Sequence, residues 1–388
     1  MVHSRILKRV AVLGVAAAAF AGLSAGAAMS AQRQFAAQSL DFGYVTGAAH
    51  PYGLAMAQFK KIAESETAGT PDALSIHLTA IYGGGDDVKL LDDIAGGAEA
   101  GGAVSTAVFP TAGIKAFNAL QLPGLINSYQ LESKVISNSG GIASRMLSIV
   151  TKNTKLTALG LLEGGMRGIA LRQPLTSLSQ LKGMKIRTPQ SPLIADIYSA
   201  LGATPLALRL GDVAQALGAT GANAVDGLDA NSGLVRVQNF NGAGVRDFVV
   251  ANTFPFPAAV VVNDNVWNGL TPAQQKALKD GAANLAQYSL SVNDTSNPAS
   301  PTSAAVAALC SGAGNRPKVQ YQQLTTPALK AFDKAEAKVI KKYTAKDKQT
   351  AAFYTAILKK KVALRKAGSF ITPTENPPPS CVGAPVLP

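Results

Sequence analysis

The sequence predicts a two-domain α/β protein, and three observations carry that reading. The chain has 388 residues, enough for two domains of ordinary size. Stretches of alternating apolar and polar residues take turns with stretches of helical period, the order of α/β units around a largely parallel sheet. Hydrophobic residues make up 47% of the chain, charged residues 15% and aromatic residues 6%. Such a balance suits an aliphatic packed core and excludes a disordered chain.

The first element is a targeting segment. Arg5, Lys8 and Arg9 precede the apolar run Val10 to Gly22, and small residues from Ala25 to Ala31 offer cleavage sites. The run is shorter than the ~20 residues that span a bilayer, so residues 1–31 read as a signal peptide cleaved near Ala27 to Ala31. No cysteine lies near that point, so the protein is not expected to be a lipoprotein. Ser39 to Val45 alternates as a strand and leads through His50-Pro51-Tyr52-Gly53 into a helix with Leu54, Ala55, Phe59, Ile62 and Ala63 on one stripe. Leu74 to Ala80 is a second strand. Gly83-Gly84-Gly85-Asp86-Asp87 breaks the chain before a helix around Leu90, Leu91 and Ile94. Those glycines lack the Gly-Lys-Ser/Thr ending of a phosphate loop, and two aspartates repel an anion, so a turn is expected.

Further along, Thr271 with Pro272 and Gln274 predicts an N-cap, a first-turn proline and a capping box. Thr326-Pro327 starts another helix, with Leu329, Phe332, Ala335, Val339 and Ile340 following. Asp294 to Pro317, rich in Pro, Ser, Ala and Gly, reads as an insertion. A basic helix follows Thr344, and Pro373 to Pro388 reads as extended or disordered.

The formal charge is +13, or +10 once the three cations of the signal segment are removed. Many of the basic residues lie between Lys330 and Lys366 and read as the solvated face of two helices. Zinc-finger spacing, aromatic-interleaved basic stripes and recognition-helix patterns are missing, so no nucleic-acid partner is expected. The cysteines, Cys310 and Cys381, are two in number. In an exported chain such a pair favours a disulfide over a metal site, although the sequence does not show that the two approach.

Catalytic chemistry has little support. His3, His50 and His77 are isolated, and there is no nucleophile elbow, dinucleotide fingerprint or zinc-ligand spacing. We expect no catalytic residues, no metal and no cofactor. Binding chemistry has more. The basic strand from Lys182 ends on Arg187 beside the turn Thr188-Pro189. An arginine there can reach into a cleft, where its planar fork suits a carboxylate; a solvated surface arginine is the alternative reading.

The surrounding runs resemble the substrate-binding proteins of tripartite ATP-independent periplasmic (TRAP) transporters. Gln180-Leu181-Lys182-Gly183-Met184-Lys185-Ile186-Arg187-Thr188-Pro189-Gln190-Ser191-Pro192 is followed by Ala200-Leu201-Gly202-Ala203-Thr204-Pro205, Gly211 to Leu217 and Val225-Asp226-Gly227, in the family's order. Gly84 to Gly101 and Val261 to Ala277 match further runs, so the resemblance spans about Ser39 to Tyr343. It implies a two-domain periplasmic-binding-protein clamshell, α/β in class, whose chain crosses between domains more than once. A long helix near Gln274 to Ser291 would brace both. The implied lobes are 37–163 with about 256–292, and 164–255 with about 293–345, leaving 346–388 as basic helix and tail. It also implies a monomer in the periplasm that captures a small organic carboxylate for an ion-gradient-driven permease. A module feeding a sensor kinase, and an exported enzyme on a related fold, stay open as alternatives.

The site residues follow from the same resemblance. Arg187 and Arg167, the latter in Gly164-Gly165-Met166-Arg167-Gly168, fall on the family's carboxylate-binding arginines. Lys89 falls where glutamate is usual, and Asp93 where glutamine is. Leu210 replaces an aromatic ring, and Ala214 a tyrosine. The family's ligand-binding asparagine falls on Ala230, between Asp229 and Asn231. These departures imply a roomier or more apolar pocket, with Leu210, Asp229, Asn231 and Lys89 around it.

Overall fold

The first sheet shows how the chain is threaded. In the computed structural model, which describes residues 37–370 and 377–388, its strand order is β2-β1-β3-β10-β4. The expected signal segment and residues 371–376 of the tail lie outside the described residues. Strand β1 (Gln38–Tyr44) leads into helix α1 (Pro51–Thr67), strand β2 (Leu74–Thr79), helix α2 (Asp87–Gly96) and strand β3 (Gly101–Ser105). Helices α3 (Tyr129–Ile136) and α4 (Ile142–Asn153) precede strand β4 (Leu156–Leu162). The chain then leaves for a second sheet, formed by β5 (Gly168–Leu171), β6 (Lys185–Thr188), β7 (Thr204–Ala207), β8 (Gly227–Ala230), β9 (Asp247–Val250) and, later, β11 (Gln320–Gln323). Helices α5 (Pro192–Ala200), α6 (Val213–Gly218) and α7 (Ser232–Val237) connect those strands.

The second sheet is ordered β11-β9-β5-β8-β6-β7. After β9 the chain returns to the first sheet as β10 (Ala258–Asn263). Each sheet is parallel except for the strand by which the chain arrives: β5 is antiparallel to β8 and β9, and β10 to β3 and β4. Every residue of β10, Ala-Ala-Val-Val-Val-Asn, is buried. A continuous β-branched run buried on both faces suits a central strand.

The two crossing segments form a ribbon. Arg167 N donates to Phe254 O (2.9 Å), Thr253 N to Arg167 O (3.0 Å), and Met166 bridges Pro255. Glu163, the residue after β4, accepts from Gly165 N and from Phe256 N (3.5 Å), while its own N–H donates to Ser289 Oγ (2.8 Å). Its carboxyl is buried against that of Glu132. Burial and the Glu163 carboxyl push Glu132 well above the ordinary carboxyl range, so the pair holds a proton. Folded-state values above the unfolded ones mean stability that is full below about pH 4.5 and is lost as pH rises through the raised values. Glu132→Gln keeps a neutral donor, so its Tm should fall less steeply than the wild type's between about pH 5 and pH 9. Melts across that range check this; parallel curves would remove the pair from the pH dependence.

After β10 come α8 (Asp264–Gly269), α9 (Pro272–Ala283), α10 (Leu285–Asn293), α11 (Pro301–Ser311), β11, α12 (Thr326–Lys346) and α13 (Lys348–Lys366). Thr271 and Gln274 form the expected capping box. The single long helix expected over Gln274 to Ser291 is two helices, because Asn284 takes a non-helical conformation (φ −111°, ψ 10°) between α9 and α10. Both pack on α1 and β4, and α10 also meets α11, which packs on α7. The bracing survives the break.

The inserted segment is not loop throughout: Ser300 caps α11 and Pro301 opens it. Nor is the end of the tail loose. Cys310 and Cys381 are disulfide-bonded, and Val382 and Val386 bridge Tyr321 and Leu324 along β11. Among the described residues no helix is long and apolar enough to cross a membrane, and no cluster of His, Cys, Asp or Glu is arranged to hold a metal.

Candidate functional site

One arginine on the ribbon and one on β6 stand beside one cavity between the sheets. Arg167 precedes β5 and is 2% exposed; its Nε (2.8 Å) and Nη2 (2.6 Å) donate to Asp229 Oδ2, and Nη2 also reaches the Asp229 carbonyl. The guanidinium lies over the Phe256 ring, 4.2 Å from its centroid. Arg187, in β6, is 4% exposed and donates through Nε (3.0 Å) and Nη2 (2.8 Å) to the Leu208 carbonyl. In both residues Nη1 has no hydrogen-bond partner among the described residues. Burial, and then the charge of Arg167, pull the Arg187 pKa down to about 10. An anion in the cavity would act against both by favouring the charged form.

Val45, Thr46, His50, Tyr52, Gly85, Asp87, Leu210, Leu234 and Phe256 complete the lining of this cavity of about 30 Å³. His50 caps α1: its Nδ1 accepts from Tyr52 N (3.2 Å), which leaves the proton of the neutral ring on Nε2. Burial and Arg167 lower its pKa to about 3, so the ring stays neutral, and Nε2 has no partner among the described residues. Tyr52 Oη donates to Phe256 O (2.7 Å), tying α1 to the ribbon. Asp87 opens α2, and its Oδ1 accepts from Ser105 N (2.9 Å). Burial raises the Asp87 pKa to about 7, against the pull of that hydrogen bond and of Arg187.

The cavity is shut where the two sheets' loops meet. Leu210 N donates to Gly85 O (3.1 Å). Gly85 has φ +79°, and a Cβ there would lie 2.6 Å from Leu210 Cβ, so only glycine permits this approach. A volume of about 30 Å³ holds a couple of water molecules. A ligand of several carbons does not fit a volume of about 30 Å³.

The expected site residues divide. Arg167, Arg187 and Leu210 converge on the cavity. Asp229 stands behind it, holding Arg167 and accepting from Tyr198 Oη (3.1 Å). Asn231 does not reach in: its Oδ1 caps α7 at Leu234 N (2.7 Å) and its Nδ2 donates to Gly164 O (2.7 Å), so its amide positions the crossing segment. Lys89 is a correction. It lies two residues past Asp87 on α2, about 200° around the helix, and its exposed ammonium pairs with Asp93 (2.5 Å). His50, Asp87, Tyr52 and Phe256 were not singled out from the sequence as site residues; the one local signal was His50 standing directly before a helix-opening proline.

The model of the bacterial extracellular solute-binding protein family 7 matches residues 42–347. A C4-dicarboxylate-binding periplasmic protein of Rhodobacter capsulatus is 28% identical over 249 residues, 64% of this chain and 72% of that protein. A TRAP periplasmic solute-binding protein of Pseudomonas putida, solved with bound D-glucuronate, is 25% identical with a TM-score of 0.70, covering 82% of this chain and 96% of that one. A sugar-acid-binding protein of Advenella mimigardefordensis, solved with galactonate, is 19% identical with a TM-score of 0.73, covering 84% and 98%. The match to the family model spans most of the chain, and the chain therefore belongs to the bacterial extracellular solute-binding protein family 7.

Proposed function

We infer that the protein is an exported receptor that captures a small organic carboxylate and hands it to a TRAP permease driven by an ion gradient. In this reading residues 37–163 with about 256–292 form one lobe and 164–255 with about 293–345 the other, and the periplasm is the site of capture. The observation that carries it is the charge of the cavity. Two buried guanidiniums face it, each with an unpartnered Nη1, and Asp229 is committed to one of them. Asp87 titrates near neutrality, so the cavity favours an added anion. His50 Nε2–H and the Arg187 Nη1–Nη2 edge supply donors, while Leu210, Leu234 and Phe256 supply apolar walls. The three relatives described above bind a C4-dicarboxylate, D-glucuronate and galactonate, all carboxylates, which supports the class and leaves the size of the acid to experiment.

A thermal-shift screen against dicarboxylates, uronates and aldonates tests it. A bound acid at a hundredfold excess over its dissociation constant should stabilise by about 2.7 kcal/mol. Neutral sugars shifting the melt while acids do not would overturn the reading.

The pH dependence follows from Asp87. Ionised Asp87 repels the ligand carboxylate, and a bound anion raises its pKa further, so binding takes up a proton. Affinity should fall several-fold as pH rises through about 7. Asp87→Asn should flatten that fall and bind more tightly than wild type near pH 8. Titrations at pH 6 and pH 8 check it; an unchanged wild-type slope in the variant would exclude Asp87.

A further inference from the structure

Most of the protein's charge sits on its last two helices. Residues 326–366, comprising α12, Asp347 and α13, hold twelve lysines and arginines against three acids, a net +9 of the chain's +13. Helix α13 contains no aspartate or glutamate. At 100° per residue, Lys330, Lys334, Lys338 and Lys341 fall within about 80° on α12, and Lys348, Lys359 and Lys366 within about 20° on α13. All seven are exposed, and none forms an ion pair among the described residues. The cations the fold does employ lie off these stripes: Lys342 pairs with Asp196 (2.5 Å), and Lys361 donates to the Gly124 carbonyl and to Asn127 Oδ1 (2.9 Å).

Like charges at i, i+4 oppose a helix unless a counter-charge lies outside it. The Lys330–Lys334–Lys338 row is of that kind; exposed Asp333 lies about 60° from Lys330 on the same helix but forms no ion pair with any of the three among the described residues. Eleven of the twelve cations are lysine, a hydrated point charge without the fork that reads fixed carboxylates or phosphates. The stripes run along helices about 31 Å and 28 Å long. Exposed Val362 sits a short step around α13 from its stripe. A long, interchangeable row of lysines with an apolar side chain beside it matches a fluid field of negative headgroups better than the fixed acid positions of a protein surface.

We propose that the exposed lysine stripes of α12 and α13 bind the anionic surface of a lipid bilayer, holding the receptor at the membrane through headgroup electrostatics. The proposal is independent of the carboxylate reading. Its effect would be to confine the receptor close to membrane-embedded partners and so raise their effective concentration.

The test is co-sedimentation of the signal-free protein with vesicles containing phosphatidylglycerol, against vesicles of phosphatidylcholine alone. Binding is expected to the former only, and to be lost when salt rises from about 0.05 M to about 0.5 M, where screening lengths shrink to a few ångström. The variant Lys334→Gln, Lys338→Gln, Lys341→Gln and Lys359→Gln should bind tenfold or more weakly, with an unchanged melting curve and unchanged acid binding. Three results would each overturn the proposal: no binding to anionic vesicles at low salt, equal binding to neutral ones, or a variant that binds as tightly as wild type.

Discussion

Arg187→Ala should lower affinity for the carboxylate ligand by ~30-fold or more while the protein stays folded. The side chain is buried, yet its fold-sustaining contacts reduce to one carbonyl, Leu208, held by Nε and Nη2. The Nη1–Nη2 edge is left to meet both oxygens of a carboxylate. Truncation strands a desolvated carboxylate in the closed cleft, a loss of about 2–5 kcal/mol. Stability should change little, because a cation whose pKa burial already depresses costs the fold something to keep. Arg187→Lys keeps the charge but can neither fork onto Leu208 nor meet two oxygens, so it should recover part of the loss. Calorimetric titration of the three proteins ranks them. Wild-type affinity in a folded Arg187→Ala would remove the residue from the site.

Asp229→Ala should produce the largest loss of stability of any single change around the cavity. Arg167 is 2% exposed and Asp229 wholly buried, and the carboxylate takes Nε and Nη2 of Arg167 on one oxygen and Tyr198 Oη on the other. Removing it leaves a buried guanidinium without its counter-charge, with only the Asp229 backbone carbonyl on Nη2, and leaves the buried Tyr198 hydroxyl only a 3.5 Å contact to Gly168 O. Breaking such a pair costs about 3–5 kcal/mol. Asp229→Asn keeps the shape and some of the hydrogen bonds, so its cost should be smaller. Urea unfolding of both variants is the measurement. A loss below about 1 kcal/mol for Asp229→Ala would mean that water reaches Arg167 and that the cavity is not sealed as described.

The parts of this fold legible in the sequence are those with local causes. Alternation marked β1 and β2, and the Thr271–Pro272–Gln274 signal marked the start of α9, because each depends on neighbours within a few residues. The break at Asn284 was hidden because Ala282, Ala283, Leu285 and Ala286 around it are good helix formers. The tail looked loose because its anchor, Cys310, lies 71 residues away. Of the residues the resemblance implied, Arg167, Arg187 and Leu210 line the cavity. Matching by position alone placed Lys89 at the cavity, whereas the helical period turns it away and Asp87 inward. Asn231 was hidden in a different way, since only the structure shows its amide consumed by a helix cap and a carbonyl. His50 with Tyr52, Asp87 and Phe256 come from three separated segments, and no local pattern announces a cavity assembled by two sheets.

The central claim is that a carboxylate is held by two buried arginines in a cavity that opens and closes. Calorimetric titration of the best acid from the screen beside its own methyl ester addresses it most directly, because the ester keeps the size and shape and removes the charge. One site per chain is expected for the acid, weakened ~30-fold or more by Arg187→Ala, with little or no binding of the ester. An ester that binds as tightly as the acid, with Arg187→Ala indifferent to both, would contradict it.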